Sequence, residues 1–298
     1  MQDSAPIQQL TTLRDWFRYA VTRFGDTGLA FGHGSNNAYD EAAYLVLHTL
    51  HLPLDRLDSF LDARLLSEER VRLASVLQQR IEQRLPAAYI THEAWLGDYR
   101  FYVDERVIVP RSFIAELLRE GLTPWVVDSA QVERVLDVCT GSGCLAILAA
   151  LAFPEALADA SDVSAAALQV ARRNVDDYGL QARVRLFESD LFAGLPPQRY
   201  DLIISNPPYV NAAAMAALPP EYLREPQLAL ASGADGLAHT RQIIQYARRH
   251  LNPDGLLVVE IGDNRAALEA AFPNLAFTWL PVSGGDDLVF LLRYEDLG

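Results

Sequence analysis

The sequence predicts an α/β protein: a doubly wound, mostly parallel sheet with an antiparallel edge, preceded by a small helical domain and a β-hairpin linker. Three observations predict it. Residues 1–86 carry helical periodicity. Residues 87–106 are dense in strand formers around a Gly97-Asp98 turn. From residue 107 onward, short aliphatic runs alternate with helical stretches.

In the first part, LRDWFRYAVTRF and YDEAAYLVLHTL read as helices, the second closed before Pro53. SEERVRLASVLQQRIEQRL opens with Ser67 as an expected N-cap and with Glu68 and Glu69 in the first turn. Leu73, Leu77, Ile81 and Leu85 then recur every fourth residue until Pro86 ends the run. Such stripes pack a bundle and carry no chemistry of their own. His48 and His51 have no cysteine or paired carboxylate at ligand spacing and read as solvated or partly buried, not as metal ligands. Residues 87–106 bring Trp95, Tyr99, Phe101 and Val103 to either side of the turn, and read as the hairpin linking the two parts.

In residues 107–298, RVLDV is a strand and GCLAILAALA a helix. ALADASD is a weaker strand, followed by a helix capped by Ser164. ARVRLFESD, YDLIISN and GLLVVEIG are further strands, the last preceded by the helix TRQIIQYARRH. LAFTWLP and DDLVFLLRYE, separated by a short Gly-Gly-Asp link, form an expected antiparallel pair at one edge.

The composition narrows the function. The chain has 298 residues, is 50% hydrophobic and carries a formal net charge of -14, with an isoelectric point near 4.8. That surface repels a phosphate backbone, so direct DNA binding is not expected; a basic protein partner would be attracted. No lysine is present, so all 25 basic residues are Arg, which removes Schiff-base chemistry and the Walker lysine. Two cysteines, Cys139 and Cys144, are too few for a disulfide framework and read as small core residues. No signal pattern opens the chain, and no apolar run reaches the roughly 18 residues a membrane span needs. The expectation is a soluble, cytoplasmic protein with no membrane partner and no metal.

LDVCTGSGCLAI is a strand, a glycine turn and a helix. Asp137 lies at the strand end, and Gly141 and Gly143 make the turn, letting a ligand approach the backbone and the helix N-terminus. By itself this is a weak signal, equally a tight turn of any α/β fold. Asp162 ends the second strand some twenty residues on, where a carboxylate can hold two ribose hydroxyls. Asp190 ends the third strand beside Leu191 and Phe192, which suits the amino edge and face of an adenine. Each acid singly reads better as a helix cap. Three in register at successive strand ends are not explained by capping alone. Nothing resembles a triphosphate site, so the expected ligand is a nucleoside without phosphates, S-adenosylmethionine (SAM).

After the fourth strand comes Asn206-Pro207-Pro208-Tyr209. Pro207 keeps Asn206 out of the helical region, and each proline fixes its own φ and lacks an N–H. The Asn206 side-chain oxygen and the Pro207 carbonyl can then form a pair of acceptors suited to a planar –NH2 group. An amide nitrogen is a poor nucleophile because its lone pair is delocalised. Accepting both of its N–H bonds orients it toward a sulfonium methyl and favours pyramidalisation as it attacks. The ring of Tyr209 is expected to line the amide pocket and face the cationic methyl.

With VIVPRSFIAE (Val107 to Glu116) and EPQLALASGADGL (Glu225 to Leu237), these motifs resemble the protein-(glutamine-N5) methyltransferases, within the class I SAM-dependent methyltransferases. The resemblance covers nearly the whole chain. It implies a Rossmann-like catalytic domain over 107–298, a helical substrate-recognition domain over 1–86 and a linker over 87–106. It implies SAM binding by Asp137, Thr140, Gly141, Gly143, Asp162, Asp190, Leu191 and Asn206, and glutamine binding by Asn206, Pro207, Pro208 and Tyr209. The resemblance also implies that Asn206, Pro207 and Tyr209 carry the transfer, and Arg111 matches an arginine that the family places near the active site. Cys139 stands where many relatives have Gly, an exchange that suits a side chain pointing away from the ligand. The text from Leu13 to Pro53 is similar to the branch that acts on large-subunit ribosomal protein L-three. The other branch methylates the GGQ glutamine of peptide-chain release factors.

Three other readings compete. A DNA adenine-N6 methyltransferase presents the same –NH2 geometry but must flip a base and read DNA, and no basic stripe is present. An idle SAM-binding scaffold has no need of an intact Asn-Pro-Pro-Tyr. A nicotinamide-dependent oxidoreductase with a Tyr/Lys donor pair is opposed by the absence of lysine.

Overall fold

The computed structural model describes residues 4–298. The chain forms two compact units. One runs to Ala94 and also contains Pro219–Arg224; the other comprises Trp95–Leu218 and Glu225–Gly298.

The first unit is helical: α1 (Ser4–Gln9), α2 (Leu13–Asp26), α3 (Ala38–Thr49), α4 (Leu57–Phe60), α5 (Ser67–Glu82) and α6 (Ala87–Thr91). Thr12 caps α2 with a reciprocal box, its hydroxyl accepting from Asp15 N while the Asp15 carboxylate accepts from Thr12 N. Leu13, Trp16, Phe24, Leu45, Leu73 and Leu77 meet in its core. Two sequence expectations need correction. Ser67 is the first residue of α5 and not its cap, because Glu69 Oε2 reaches back to Leu66 N at 2.7 Å and starts the helix from there. Ala87–Thr91 is helical, so only the latter part of the expected hairpin segment is extended.

One ionic network lies wholly within this unit. Arg80, 1% exposed, donates from Nε to Glu41 at 2.6 Å and from Nη2 to the Ala30 carbonyl at 2.8 Å. Its Nη1 and that of Arg84 both reach Glu221 Oε1, at 3.4 and 3.2 Å. Glu221 sits in the short segment that rejoins this unit after the Asn-Pro-Pro-Tyr motif.

β1 (Ala94–Leu96) and β2 (Tyr99–Phe101) pair through the Gly97-Asp98 turn, with Gly97 at φ 62°. Beyond them come α7 (Ile114–Arg119), β3 (Arg134–Val138), α8 (Cys144–Ala152), β4 (Leu157–Asp162), α9 (Ala165–Asp177), β5 (Val184–Glu188), β6 (Tyr200–Ser205), α10 (Ala212–Ala217), α11 (Ala238–His250), β7 (Leu251–Glu260), α12 (Arg265–Ala271), β8 (Thr278–Val282) and β9 (Gly285–Arg293). The sheet order is β5-β4-β3-β6-β7-β9-β8, with β9 antiparallel to both neighbours and the other pairs parallel. This is the predicted architecture, including the antiparallel edge.

Alternation along the strands divides the core in two. Val135, Leu202, Ile204 and Val258 pack with α7 and α8, while Leu136, Ile203, Leu257 and Val259 pack with α11. The strand order runs outward from β3 and then restarts at β6, so the switch point lies between them. Val138 and Ser205 are in register there, and the glycine turn and Asn-Pro-Pro-Tyr leave the sheet side by side.

Candidate active site

A cavity opens at this switch point, beside the ends of β4, β5 and β6. Of the residues singled out in the sequence, Gly141, Asp162, Asp190, Leu191, Asn206 and Pro208 line it. Asp137, Thr140, Gly143, Pro207, Tyr209 and Arg111 do not.

The glycine turn is held from beneath. Asp137 is 1% exposed; its Oδ2 accepts from Thr140 Oγ1 at 2.5 Å and Ala146 N at 3.1 Å, while Oδ1 has no partner. Burial pushes its carboxyl up to about 7. Gly141 lines the cavity at φ 56°, and a Cβ there would meet nothing within 4 Å. Gly143, at φ 79°, serves packing: a Cβ there would come within 3.1 Å of Ala171 Cβ on α9. Cys139 also adopts a left-handed φ, 62°, and lines the cavity, with its thiol directed at Ser205. Burial raises both thiols, Cys144 to about 12, which disfavours the thiolate form.

Asp162, the last residue of β4, uses both carboxylate oxygens locally. Oδ2 accepts from Gly141 N at 2.9 Å and Oδ1 from Ser164 N at 2.9 Å. A carboxylate has about four lone-pair sites, so acceptor capacity remains toward the cavity. Ser164 caps α9 as expected, accepting from Ala167 N. Leu191 is buried, with φ 49°, and the exposed Asp190 projects beside it.

Asn206 follows β6, and its Oδ1 is buried without a hydrogen-bond partner. Pro207 and Pro208 are buried behind it. The ring of Tyr209 packs on Gly262 and its hydroxyl points to Glu260 Oε1 at 3.4 Å. The chain then leaves for α10 and returns. Val210 pairs with Ala231 through Val210 N to Leu230 O and Ser232 N to Val210 O, and Pro226, Leu228 and Ala229 cover the cavity. Arg111 makes a bidentate pair with the buried Glu225.

Sequence reading missed Arg106, Val107, Ile108 and His239 as cavity residues. His239 Nδ1 bonds Ser232 Oγ at 2.8 Å, and burial lowers its pKa. Arg106 is engaged by Asp104 through Nε at 2.8 Å and Nη2 at 2.6 Å, which holds that carboxyl down at about 2. The proximity of the Arg106 segment to the cavity depends on the return of the linker to α9, which no local pattern encodes. Among the described residues no cluster of three or more potential metal ligands is present, and no helix is long and apolar enough to cross a membrane.

Comparison with known proteins adds three findings. The family model "Methyltransferase small domain" matches residues 121–276. The chain is 59% identical over 290 residues to the ribosomal protein uL3 glutamine methyltransferase of Neisseria meningitidis serogroup A, covering 97% of this chain and 95% of that one. It is 60% identical over 293 residues to the protein of that name from Burkholderia pseudomallei, covering 96% and 95%. The catalytic domain of hMettl16, solved with the MAT2A 3'UTR hairpin 6, superposes with a TM-score of 0.52 at 14% identity, over 76% of this chain and 81% of that chain; this likeness concerns the fold.

Proposed function

The chain belongs to the ribosomal protein uL3 glutamine methyltransferases, and from that premise we propose that it transfers a methyl group from SAM to the side-chain amide nitrogen of a glutamine in uL3. The observation that carries the reading is the buried, partnerless Asn206 Oδ1 beside the cavity. A buried amide oxygen left without a donor costs about 1–3 kcal/mol, so its retention points to a donor supplied by substrate.

The cavity fits SAM. Buried Leu191 offers an apolar face for a base, Asp162 offers acceptors for ribose hydroxyls, and the space beside Gly141 admits close approach. Asp190 and Leu191 would take the adenine edge and face, with Thr140, Gly143 and Asp137 shaping the turn from behind. When bound, SAM supplies an electrophilic methyl on a sulfonium centre. The chain's own part is orientation. Asn206 Oδ1 and the Pro207 carbonyl would accept the two amide N–H bonds and hold the nitrogen lone pair toward the cavity. Pro208 fixes the backbone, and no side chain need remove a proton before transfer, because the alkylated amide nitrogen is strongly acidic.

The helical unit is assigned to substrate recognition and the cytoplasm as the place of action. The net charge of -14 supports a basic protein substrate and opposes DNA. The test uses methyl-labelled SAM with unmethylated uL3, a release factor and duplex DNA. Label on uL3 alone, mapped to one glutamine by mass spectrometry, is the expected result. Label on the release factor keeps the chemistry and overturns the substrate; label on DNA overturns both.

A further inference from the structure

We propose that the turn Glu260–Asn264 (EIGDN) is the seat of Tyr209, and that Glu260 and Asn264 are positioning residues for methyl transfer; the inference rests on the function proposed above. The turn meets Tyr209 at three places. Asn264 Nδ2 donates to the Tyr209 carbonyl at 2.9 Å and to the Ile261 carbonyl at 2.8 Å. The ring lies against Gly262, where an added Cβ would sit 2.8 Å from Cε2. The hydroxyl points to Glu260 Oε1 at 3.4 Å. Opposite the turn, a side chain at Gly236 would overlap the Tyr209 carbonyl oxygen.

Both polar residues are turned away from their ordinary local tasks. Asn264 stands at the N-cap position of α12, where its side chain would normally accept from a helix N–H, yet it makes no capping bond. Both protons of its amide go to carbonyls instead. Glu260, 1% exposed, has Oε2 held by Ser112 Oγ at 2.7 Å and Phe113 N at 2.8 Å, which aims Oε1 at Tyr209. With its carbonyl, ring and hydroxyl held, Tyr209 fixes the C-terminal side of the peptide that presents Asn206. Misplacement of a reacting group by about 1 Å costs on the order of 10²-fold in rate, so a seat of this kind acts on turnover.

The test uses the full chain with Glu260→Gln, Asn264→Asp, Tyr209→Phe and the Glu260→Gln/Tyr209→Phe pair. Asn264→Asp can cap α12 and keep the fold, but sets a carboxylate against two carbonyls. Each single change at 260 or 264 is expected to lower kcat about tenfold, with KM for uL3 and the SAM dissociation constant within about twofold of wild type. In the Tyr209→Phe background, Glu260→Gln should add less than about a twofold loss. The ¹⁹F resonance of 3-fluorotyrosine at position 209, assigned by its loss in Tyr209→Phe, should shift in both single variants. Wild-type kcat in Asn264→Asp, or an undiminished loss from Glu260→Gln in the Tyr209→Phe background, overturns the positioning role. An unmoved resonance overturns the seat. The resonance is read without any acceptor, so failure of uL3 as a substrate would sink the proposed function and leave the seat under test.

Discussion

Arg111 and Glu225 close on each other as a two-pronged ion pair, Nη1 to Oε1 at 2.6 Å and Nη2 to Oε2 at 2.8 Å, with Val109 N donating to the same Oε1 at 2.8 Å. Glu225 immediately precedes Pro226, which covers the cavity. Arg111→Lys keeps the charge but not the planar fork. Glu225→Ala takes both carboxylate acceptors from Arg111, whose Nη1 keeps the Val109 carbonyl, and removes the acceptor of Val109 N; it should destabilise the protein by about 3 kcal/mol. Arg111→Lys should cost less in stability and still lower turnover by loosening the cover. Urea unfolding alongside labelled-methyl assays checks both; a Glu225→Ala variant as stable as wild type would rule the pair out as the anchor.

Asn206→Ala removes the partnerless acceptor from the cavity wall. Transfer should fall by at least about 10²-fold, the usual cost of losing one donor or acceptor aimed at the reacting group, while SAM binding measured by calorimetry stays near wild type. Turnover close to normal in this variant would mean that the amide clamp lies elsewhere.

Asp162 Oδ2 is bonded to Gly141 N, so one carboxylate both closes the glycine turn and lines the cavity proposed to hold the ribose. Asp162→Ala should therefore weaken SAM binding by about 10- to 100-fold, combining a lost pair of ribose contacts with a loosened turn. Asp162→Asn keeps one acceptor for the turn and should fall between. Unchanged cofactor affinity in Asp162→Ala would remove the ribose role.

Much of this site was legible because local sequence fixes it. Periodicity and turn chemistry located the strands, and strand ends carry Asp162, Asp190 and Asn206 by position alone. What stayed hidden depends on tertiary return of the chain. Glu225 lies 114 residues from Arg111, and Glu260 lies 148 from Ser112, so no window contains either pair. The packing of the Tyr209 ring against Gly262 is likewise a tertiary contact. Residue type makes Ser67 the expected cap, whereas the reach of Glu69 to Leu66 N sets the start of the helix.

Asp137 makes stability depend on pH. Burial raises its carboxyl from an ordinary 3.8 to about 7 in the folded chain. The native state thus binds this proton more tightly than the unfolded state, so the contribution is fully present below about pH 4 and is lost as pH rises toward 7. Asp137→Asn cannot titrate. Its unfolding free energy carries a constant offset from a buried amide, and the wild type should fall relative to it by a few kcal/mol between pH 4 and about 7. Urea unfolding of both proteins at intervals across that window reads the difference; a gap independent of pH would show that Asp137 is already ionised in the folded chain.

Glu221 tests the ionic network inside the helical unit. Its Oε1 receives Arg80 and Arg84 and also accepts from Ala30 N at 3.2 Å, and its side chain is 1% exposed. Arg80 keeps Glu41 as a second partner, so Glu221→Gln should be tolerated at a cost of about 1 kcal/mol, the amide oxygen still accepting. Glu221→Ala leaves Arg84 and the Ala30 N–H without that acceptor and should cost about 3–5 kcal/mol. Because Glu221 arrives on the Pro219–Arg224 segment, the loss should expose that segment before the helices unfold. Hydrogen exchange at Tyr222–Arg224 measures this directly. Protection there that survives Glu221→Ala would mean that packing of the segment, and not its carboxylate, keeps it in the helical unit.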